Sequence, residues 1–515
     1  MLNRKFIILW FFISLVFAFI INQTNLYFVK KANVGNESAV TNYGYSLSSV
    51  DDVWYLPQIK NYKAGKGFTI DPKVAHYDVR RTPVYPLFYG IHYLIFGEKL
   101  SFFFIRISQL LLAALGVILL GLSVLNISSN ISWAKWTIYL SAFNPFFYIY
   151  CYYTLSESLS PFCVILAFYF FTLAIKEGKY LFYFLTGTSS GLMILTRPPT
   201  GLVLAAIILT MVILKRNEIR QLFLQGTTMC TGLILVFTPW VIHNYIVTKG
   251  ELIFLEKFYD GDSLDYGNGH VYFKEWISSW TNEFHVYSSE TFSPILRGQP
   301  DKIEENIDWY INRLPKYVTE INEPDKIRNA LRSLGECHKF KDSVMRANPN
   351  LIPEMAGCEE IVKNNFSALT KEFREKSPLR YHIINPLNKL RELVFNSCSY
   401  AYGSLNPVGG KFNFAQYIIK SGMYLLNLLL YFSLLFVLLK KNISAGLKIP
   451  IVTVTILNFI FFAFVFRYIE LRYVLPIYPF LFISLSFVMS HFGNIVLSRF
   501  AGKSVTSLAK EKEQE

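Results

Sequence analysis

The chain has 515 residues, of which 52% are hydrophobic and 17% aromatic, and its formal net charge at pH 7 is +14. Its mean hydropathy is +0.32. Such an apolar composition over this length excludes a large soluble core and indicates an all-α polytopic membrane protein. In that class an excess of Lys and Arg is typical of cytoplasmic loops that face anionic lipid headgroups, so the charge does not indicate nucleic-acid binding.

Apolar segments along the chain predict about ten membrane-spanning helices. The first, residues 1–21, is predicted to be uncleaved, because the run is long and no small-residue cleavage site follows it. The segment 83–97 contains two prolines and many aromatic residues, and it is predicted to lie on the membrane surface. The other nine predicted spans are 101–125, 134–150, 158–175, 180–196, 200–214, 225–246, 413–439, 449–466 and 471–490.

The distribution of basic residues predicts the orientation of these helices. Clusters at 176–179, 215–220 and 440–448, together with the Lys-rich C-terminal tail, fall on the same side as the N-terminus. The positive-inside rule places that side in the cytoplasm, so both termini are predicted to be cytoplasmic. Residues 23–100 and 247–412 then face outward.

Four regions follow from this topology. We expect an N-terminal transmembrane catalytic module (1–246), which includes the external loop 23–100, an external insertion (247–412), C-terminal transmembrane helices (413–490) and a cytoplasmic tail (491–515). The insertion is predicted to be mainly helical, because Ile303, Ile307, Ile311 and Leu314 share one helical face.

Six cysteines occur in the chain, without metal-type spacing. Cys337 and Cys358 lie in the insertion and could pair if that region is extracytoplasmic, which would leave Cys398 free. The sequence alone leaves both redox states open.

Ionisable and polar residues collect at the predicted outer edge of the membrane. Charged groups at this depth are costly and are therefore functional candidates. Each also has a structural explanation: Asp51 could cap a helix, Arg197 could reach the interface, Glu157 could pair with an arginine, and His243 could make an ordinary hydrogen bond. The residues concerned are Asp51, Asp52, Arg80, Arg81, Glu157, Arg197, His243, Asn244, Arg467, Glu470, Arg472 and Tyr473.

A set of carboxylates and arginines suits transfer of a group from a lipid-linked phosphate. A carboxylate can take a proton from an acceptor hydroxyl, and arginines can hold a departing phosphate. Aromatic residues such as Trp54, Tyr55, Tyr85 and Tyr473 can stack on sugar rings. Two alternatives remain: a transporter or lipid flippase, and a non-catalytic assembly protein.

Several short motifs, in this order, resemble those of the GT-C glycosyltransferases. The branch concerned contains the protein O-mannosyltransferases, the lipid A aminoarabinose transferase and proteins with an RgtA/B/C/D-like domain. The matching elements are Asp51-Asp52-x-x-Tyr55, RRTPVYPLFYGIHYLIFG (80–97), Arg106 at the start of a span, Glu157 in an external turn, Arg197-Pro198, and RYVLPIYP (472–479). One element departs from the family pattern: PWVIHNY has His243 where the family has arginine.

The resemblance implies a GT-C bundle in the plasma (inner) membrane, with its active face outside the cytoplasm, that uses an undecaprenyl- or dolichyl-phosphate sugar and inverts the anomeric configuration. It implies Asp51 as the catalytic acid/base residue with Asp52 beside it, and Arg81, Arg197 and Arg472 as ligands of the donor phosphate. Supporting positions would be Tyr55, Glu157, Arg106, His243 and Tyr473. Some relatives require a divalent cation and others do not, and the acceptor could be a glycan, a lipid or a protein of the cell envelope.

Overall fold

Helices dominate the computed structural model, which describes residues 2–72, 79–257, 267–282, 287, 303–347, 357–405, 413–467 and 471–493. In the first part of the chain the helices are α1 Arg4–Ala32, α2 Glu37–Val40, α3 Pro57–Lys63, α4 Val84–Ser128, α5 Ile131–Ala142, α6 Pro145–Tyr148, α7 Ser156–Glu177, α8 Tyr180–Thr196, α9 Gly201–Lys215 and α10 Ile219–Val247. Two short strands, β1 Thr41–Asn42 and β2 Ser46–Leu47, pair antiparallel.

The second part of the chain continues with helices of the insertion and of the C-terminal bundle. They are α11 Gly267–Trp280, α12 Ile303–Arg313, α13 Lys316–Ile321, α14 Pro324–Ala347, α15 Gly357–Lys376, α16 Asn385–Val394, α17 Phe414–Leu439, α18 Ala445–Ile460 and α19 Arg472–Gly493. Short 3₁₀ helices cover Val50–Trp54, Ile149–Tyr152, Pro198–Thr200 and Gly403–Leu405, and a further one, Leu475–Ile477, interrupts α19. Helical turns of the π type cover Arg380–Ile384 and Phe461–Val465.

Within the described residues, eight helices are long and apolar enough to cross a membrane. They confirm an all-α polytopic architecture. The two other predicted spans are shorter: α8 has 17 residues, and the segment predicted at 134–150 is divided between α5, with 12 residues, and α6. The break has a local cause: Pro145 disfavours a helical Asn144, whose side chain instead accepts a hydrogen bond from the N–H of Phe146.

Helix α4 contains both the predicted surface segment and the first span after it. They are separated at Gly97, whose φ of 73° and ψ of −177° are not helical. A positive φ is strained for residues with a Cβ atom, and glycine adopts it readily. The glycine therefore allows the chain to change direction between the two parts.

The insertion has a hydrophobic core separate from that of the membrane helices. Phe273, Trp276 and Trp280 of α11 are buried in it against Tyr310 of α12 and Phe366 of α15. Ile303, Ile307, Ile311 and Leu314 are all buried in the same core.

A disulfide between Cys337 and Cys358 joins α14 to α15, while Cys398 is free and buried. The two linked residues are 21 positions apart. We expect Cys337→Ser to lower the free energy of unfolding by about 3 kcal/mol, because the bond restricts the unfolded chain over a loop of this length. Thermal unfolding of the purified protein measures this loss. Cys230→Ser, which changes an exposed free cysteine, is the control, and equal unfolding temperatures of the two variants would contradict the expectation.

Three hydrogen bonds attach the end of the insertion to Arg467 and to Arg472 at the start of α19. The Arg467 guanidinium donates to the carbonyl of Tyr381 at 2.8 Å, and the Lys389 ammonium donates to the carbonyl of Arg467. The backbone N–H of Arg472 donates to the hydroxyl of Tyr400 at 3.2 Å. We call these contacts the insertion clamp.

Candidate functional site

A cavity of about 340 Å³ lies where five stretches of the chain meet. These are the first external loop, the start of α7, the turn between α8 and α9, the loop after α10, and the segment that joins α18 to α19. Its lining residues are Asp51, Tyr55, Arg81, Thr82, Ser156, Glu157, Thr196, Arg197, Pro198, Pro199, Glu256, Phe461, Phe462, Phe466, Arg472 and Tyr473.

Asp51 reaches this cavity from the 3₁₀ helix Val50–Trp54. The helix is capped by Ser49, whose hydroxyl accepts a hydrogen bond from the N–H of Asp51 at 3.1 Å. Capping is thus performed by Ser49 and does not explain Asp51. The Asp51 carboxylate instead forms an ion pair with Arg472, 421 residues further along the chain.

Asp52 points to other partners. Its Oδ1 accepts a hydrogen bond from the Thr154 hydroxyl at 2.6 Å, and its Oδ2 accepts one from the Asn42 amide at 2.9 Å. Asp52 is buried and is not among the residues that line the cavity. Burial raises the pKa of its carboxyl to about 6, against the opposing effect of the hydrogen bonds from Asn42 and Thr154. The residue therefore ties the external loop to the turn before α7.

We expect the contribution of Asp52 to the stability of the folded protein to decrease as the pH rises. Its pKa is raised from 3.8 to about 6 in the folded protein, so the folded state binds more protons between these values. The favourable contribution of Asp52 to stability is complete below the pKa of the unfolded state and is lost as the pH rises through the pKa of the folded state. The loss is at most roughly 3 kcal/mol.

This expectation is checked by the unfolding temperatures of the wild type and Asp52→Asn across that range of pH. The variant, which cannot ionise here, should gain stability relative to the wild type as the pH rises. A constant difference between the two proteins would show that Asp52 does not titrate in this way.

Glu157 lies between two of the predicted phosphate ligands. Its Oε1 is 3.1 Å from Nη1 of Arg197 and 3.8 Å from Nη1 of Arg472, and its Oε2 accepts a hydrogen bond from the Ser156 hydroxyl at 3.2 Å. The Arg197 guanidinium also lies over the ring of Tyr473, 4.9 Å from its centroid. The side chains of Arg197 and Glu157 are only 9% and 4% exposed. Glu157 is thus a buried anion that holds two arginines in one place.

Arg81 approaches the cavity from the other side. Its Nη1 is 3.8 Å from Oε2 of Glu256, and its guanidinium lies 5.7 Å from the centroid of the Trp54 ring. Arg80 stacks on the same ring at 4.2 Å. Trp54 therefore positions both arginines through cation–π contacts.

Glu256 was not identified from the sequence, because it lies in a loop that matches no motif. The loop is fixed by the PWVIHNY segment: Trp240 Nε1 donates to the carbonyl of Leu255 at 2.7 Å, and the Asn244 amide donates to that of Ile253 at 2.9 Å. The N–H of Lys257 donates to the carbonyl of Val79 at 3.1 Å, next to the two arginines. Trp240 and Asn244 were the sequence signal for this loop, because their side chains can donate hydrogen bonds to a segment packed against the end of α10.

Two of the predicted supporting residues lie outside the lining of the cavity. Arg106 donates to the carbonyl of Tyr45 at 2.8 Å and lies over the ring of Tyr152 at 4.9 Å. His243 stacks on Trp240, with ring centroids 5.1 Å apart. Tyr55 and Tyr473 do line the cavity, and the hydroxyl of Tyr55 is 3.3 Å from that of Ser156.

An aromatic wall, formed by Phe461, Phe462 and Phe466, closes one side of the cavity. These residues were predicted only as part of an ordinary span. The π-helical turn Phe461–Val465 continues α18 toward the cavity, and this local change of helical period is not visible in hydrophobic residues alone.

The carboxylates do not fit a divalent cation. Both oxygens of Asp52 are engaged by Thr154 and Asn42, and Asp51 pairs with Arg472. In the part of the chain that the structure describes, no group of three or more His, Cys, Asp and Glu residues could hold a metal ion. The cavity combines arginines with carboxylates and an aromatic wall, which suits a phosphate joined to an apolar chain.

Part of this site lies in a segment that is similar to a known family. Residues 80–243 match the family model described as dolichyl-phosphate-mannose-protein mannosyltransferase. The matched segment contains Arg81, Glu157 and Arg197, whereas Asp51 and Arg472 lie outside it. No curated protein matches the chain.

A search of solved structures finds ArnT from Cupriavidus metallidurans bound to undecaprenyl phosphate, at 13% sequence identity. The alignment covers 89% of this chain and 76% of that chain, with a TM-score of 0.32, which is too low to support an argument about function. The match over residues 80–243 agrees with the resemblance to GT-C glycosyltransferases that the motifs indicated.

Proposed function

We propose that the protein transfers a sugar from a polyprenyl-phosphate donor to an acceptor hydroxyl, with Asp51 as the catalytic base. The family match supports a membrane glycosyltransferase that depends on such a donor. The observation that carries the role of Asp51 is its position in one cavity with Arg81, Arg197 and Arg472. A base and three permanent cations are the groups that displacement of a phosphate requires.

The proposed reaction is a single displacement. Asp51 takes the proton of the acceptor hydroxyl, whose oxygen attacks the anomeric carbon. The bond between that carbon and the phosphate oxygen breaks, and the leaving phosphate keeps the electron pair. Direct attack from the opposite face inverts the anomeric configuration.

The arginines stabilise the charge that develops on the phosphate. Glu157 fixes Arg197 and Arg472 before the donor arrives, so little reorganisation is needed during the reaction. The phosphate would draw Arg472 from Asp51, which would free the carboxylate to accept a proton. The aromatic wall provides an apolar surface beside the lipid part of the donor.

We further propose that the cavity opens on the extracytoplasmic side of the plasma membrane and that both termini are cytoplasmic. Residues 1–246 and 413–490 form the membrane-embedded catalytic unit, and 247–412 form an external insertion. The basic clusters between spans support this orientation. The acceptor is a glycan, lipid or protein of the cell envelope.

The test is sugar transfer by the purified protein in lipid nanodiscs, supplied with labelled polyprenyl-phosphate sugars and a mixture of envelope acceptors. We expect the label to leave the lipid phase, free polyprenyl phosphate to accumulate, and the product to show the inverted anomer by NMR. In sealed vesicles, movement of intact donor across the bilayer without cleavage would instead favour a flippase and overturn the proposal.

A further inference from the structure

Among the described residues that line the cavity, Glu256 makes the number of carboxylates equal to the number of arginines. Of the described residues that line it, three are arginines (Arg81, Arg197 and Arg472) and three are carboxylates (Asp51, Glu157 and Glu256). A phosphodiester adds one negative charge to this balanced set. An uncompensated charge in a partly buried site is unfavourable, so binding is easier if one carboxylate becomes neutral.

The contacts distinguish the three carboxylates. Asp51 is in direct contact with Arg472, and Glu157 is held by two arginines and by the hydroxyl of Ser156. Glu256 is 3.8 Å from Arg81, which is beyond hydrogen-bond distance. Its interaction with Arg81 is therefore the most easily given up.

The burial of Glu256 disfavours its charged form. Burial raises the pKa of this carboxyl above its usual value, and the positive charges of Arg81, Arg197 and Arg80 oppose the rise. On its own loop, Glu251 and Lys257 form an exposed ion pair at 2.5 Å. A bound phosphate would take up the charge of Arg81 and repel the carboxylate, and both effects favour protonation of Glu256.

We propose that Glu256 is the counter-ion that Arg81 exchanges for the phosphate of the lipid, and that Glu256 takes up a proton from water as the phosphate binds. This inference rests on the proposed function, because it requires a phosphate ligand in the cavity. It makes binding of the lipid proton-linked: affinity falls as the pH rises. Glu256 is a positioning residue that acts through Arg81.

The experiment measures binding of undecaprenyl methyl phosphate to the full-length protein in nanodiscs. This phosphodiester carries one charge at every pH used, so the ligand itself does not titrate. The dissociation constant is compared from about pH 5.5 to 8.5 for the wild type, Glu256→Gln and Glu251→Gln. The last is the matched control, since Glu251 lies on the same loop in an exposed ion pair.

We expect the wild-type dissociation constant to rise by up to about tenfold per pH unit above the pKa of Glu256, as uptake of one proton requires. Glu256→Gln should bind with little pH dependence and more tightly than the wild type at the alkaline end. Glu251→Gln should follow the wild type, and Glu256→Asp should regain the dependence. Calorimetry in buffers of different ionisation enthalpy should show proton uptake on lipid binding by the wild type and none by Glu256→Gln.

Two results would overturn the inference, and only the second would also contradict the proposed function. If the wild type binds the lipid and Glu256→Gln keeps the same pH dependence, proton uptake by Glu256 is wrong while the proposed function stands. If the wild type does not bind the lipid phosphate at any pH, the proposed function fails and the inference fails with it.

Discussion

The variant Asp51→Asn should lose sugar transfer by roughly two to three orders of magnitude without losing affinity for the lipid phosphate. Asparagine has the size of aspartate but does not accept the proton of the acceptor hydroxyl. The arginines remain in the cavity, and Arg472 is released from its ion pair with Asp51. The loss should therefore appear in kcat, whereas the donor should bind at least as tightly as it does to the wild type.

Transfer of labelled sugar and binding of undecaprenyl phosphate, measured on the same preparations, check this result. Asp52→Asn is the matched control: it alters the adjacent carboxylate, which lies outside the cavity lining and is hydrogen-bonded to Thr154 and Asn42. Undiminished transfer by a folded Asp51→Asn protein would rule out Asp51 as the base.

The second large effect is expected at the buried ion pair of Arg197 and Glu157. Arg197→Met leaves Glu157, 4% exposed, with Arg472 at 3.8 Å as its remaining cationic partner. Removing one member of a buried pair typically lowers stability by about 3–5 kcal/mol, and the second arginine places the expected loss near the lower limit. Transfer should also fall, because one of the three arginines proposed to hold the donor phosphate is lost.

Chemical unfolding and transfer assays on a double-mutant cycle separate these two effects. Combining Arg197→Met with Glu157→Gln removes the uncompensated charge, so stability should return toward the wild type while transfer stays low. The control is Lys215→Met, which breaks an exposed ion pair with Glu218 at 2.9 Å and should change stability by less than about 1 kcal/mol. A destabilisation of Arg197→Met no greater than that of the control would contradict a structural role of the pair.

The membrane architecture was accessible from the sequence because it depends on the length and polarity of single segments. Long apolar runs give the spans, and Gly97 marks the boundary between the segment 83–97 and the span that follows it, whereas the break at Pro145 inside the predicted span 134–150 was missed. We also expected Asp51, Arg81, Glu157 and Arg197 to lie near one another, since the loops that carry them were predicted on one side of the membrane.

Side-chain directions were not accessible in the same way. Asp51 and Asp52 are adjacent, yet only the first lines the cavity, because the 3₁₀ helix points the second toward Thr154 and Asn42. His243 occupies a motif position, but its neighbours Trp240 and Asn244 form the contacts that position the loop of Glu256. The motif marks Trp240 and Asn244 as donors, but the accepting backbone carbonyls carry no sequence signature, so the loop of Glu256 was not identified.

The insertion clamp has a thermodynamic consequence. It joins Tyr381, Lys389 and Tyr400 of the insertion to Arg467 and to Arg472, which lines the cavity. A molecule that binds the insertion and shifts Arg472 changes the affinity of the cavity for a ligand, and by reciprocity the ligand changes the affinity of the insertion by the same factor. A tenfold change in the affinity of the cavity is therefore matched by a tenfold change in the affinity of the insertion. This factor corresponds to a coupling free energy of about 1.4 kcal/mol between the two sites.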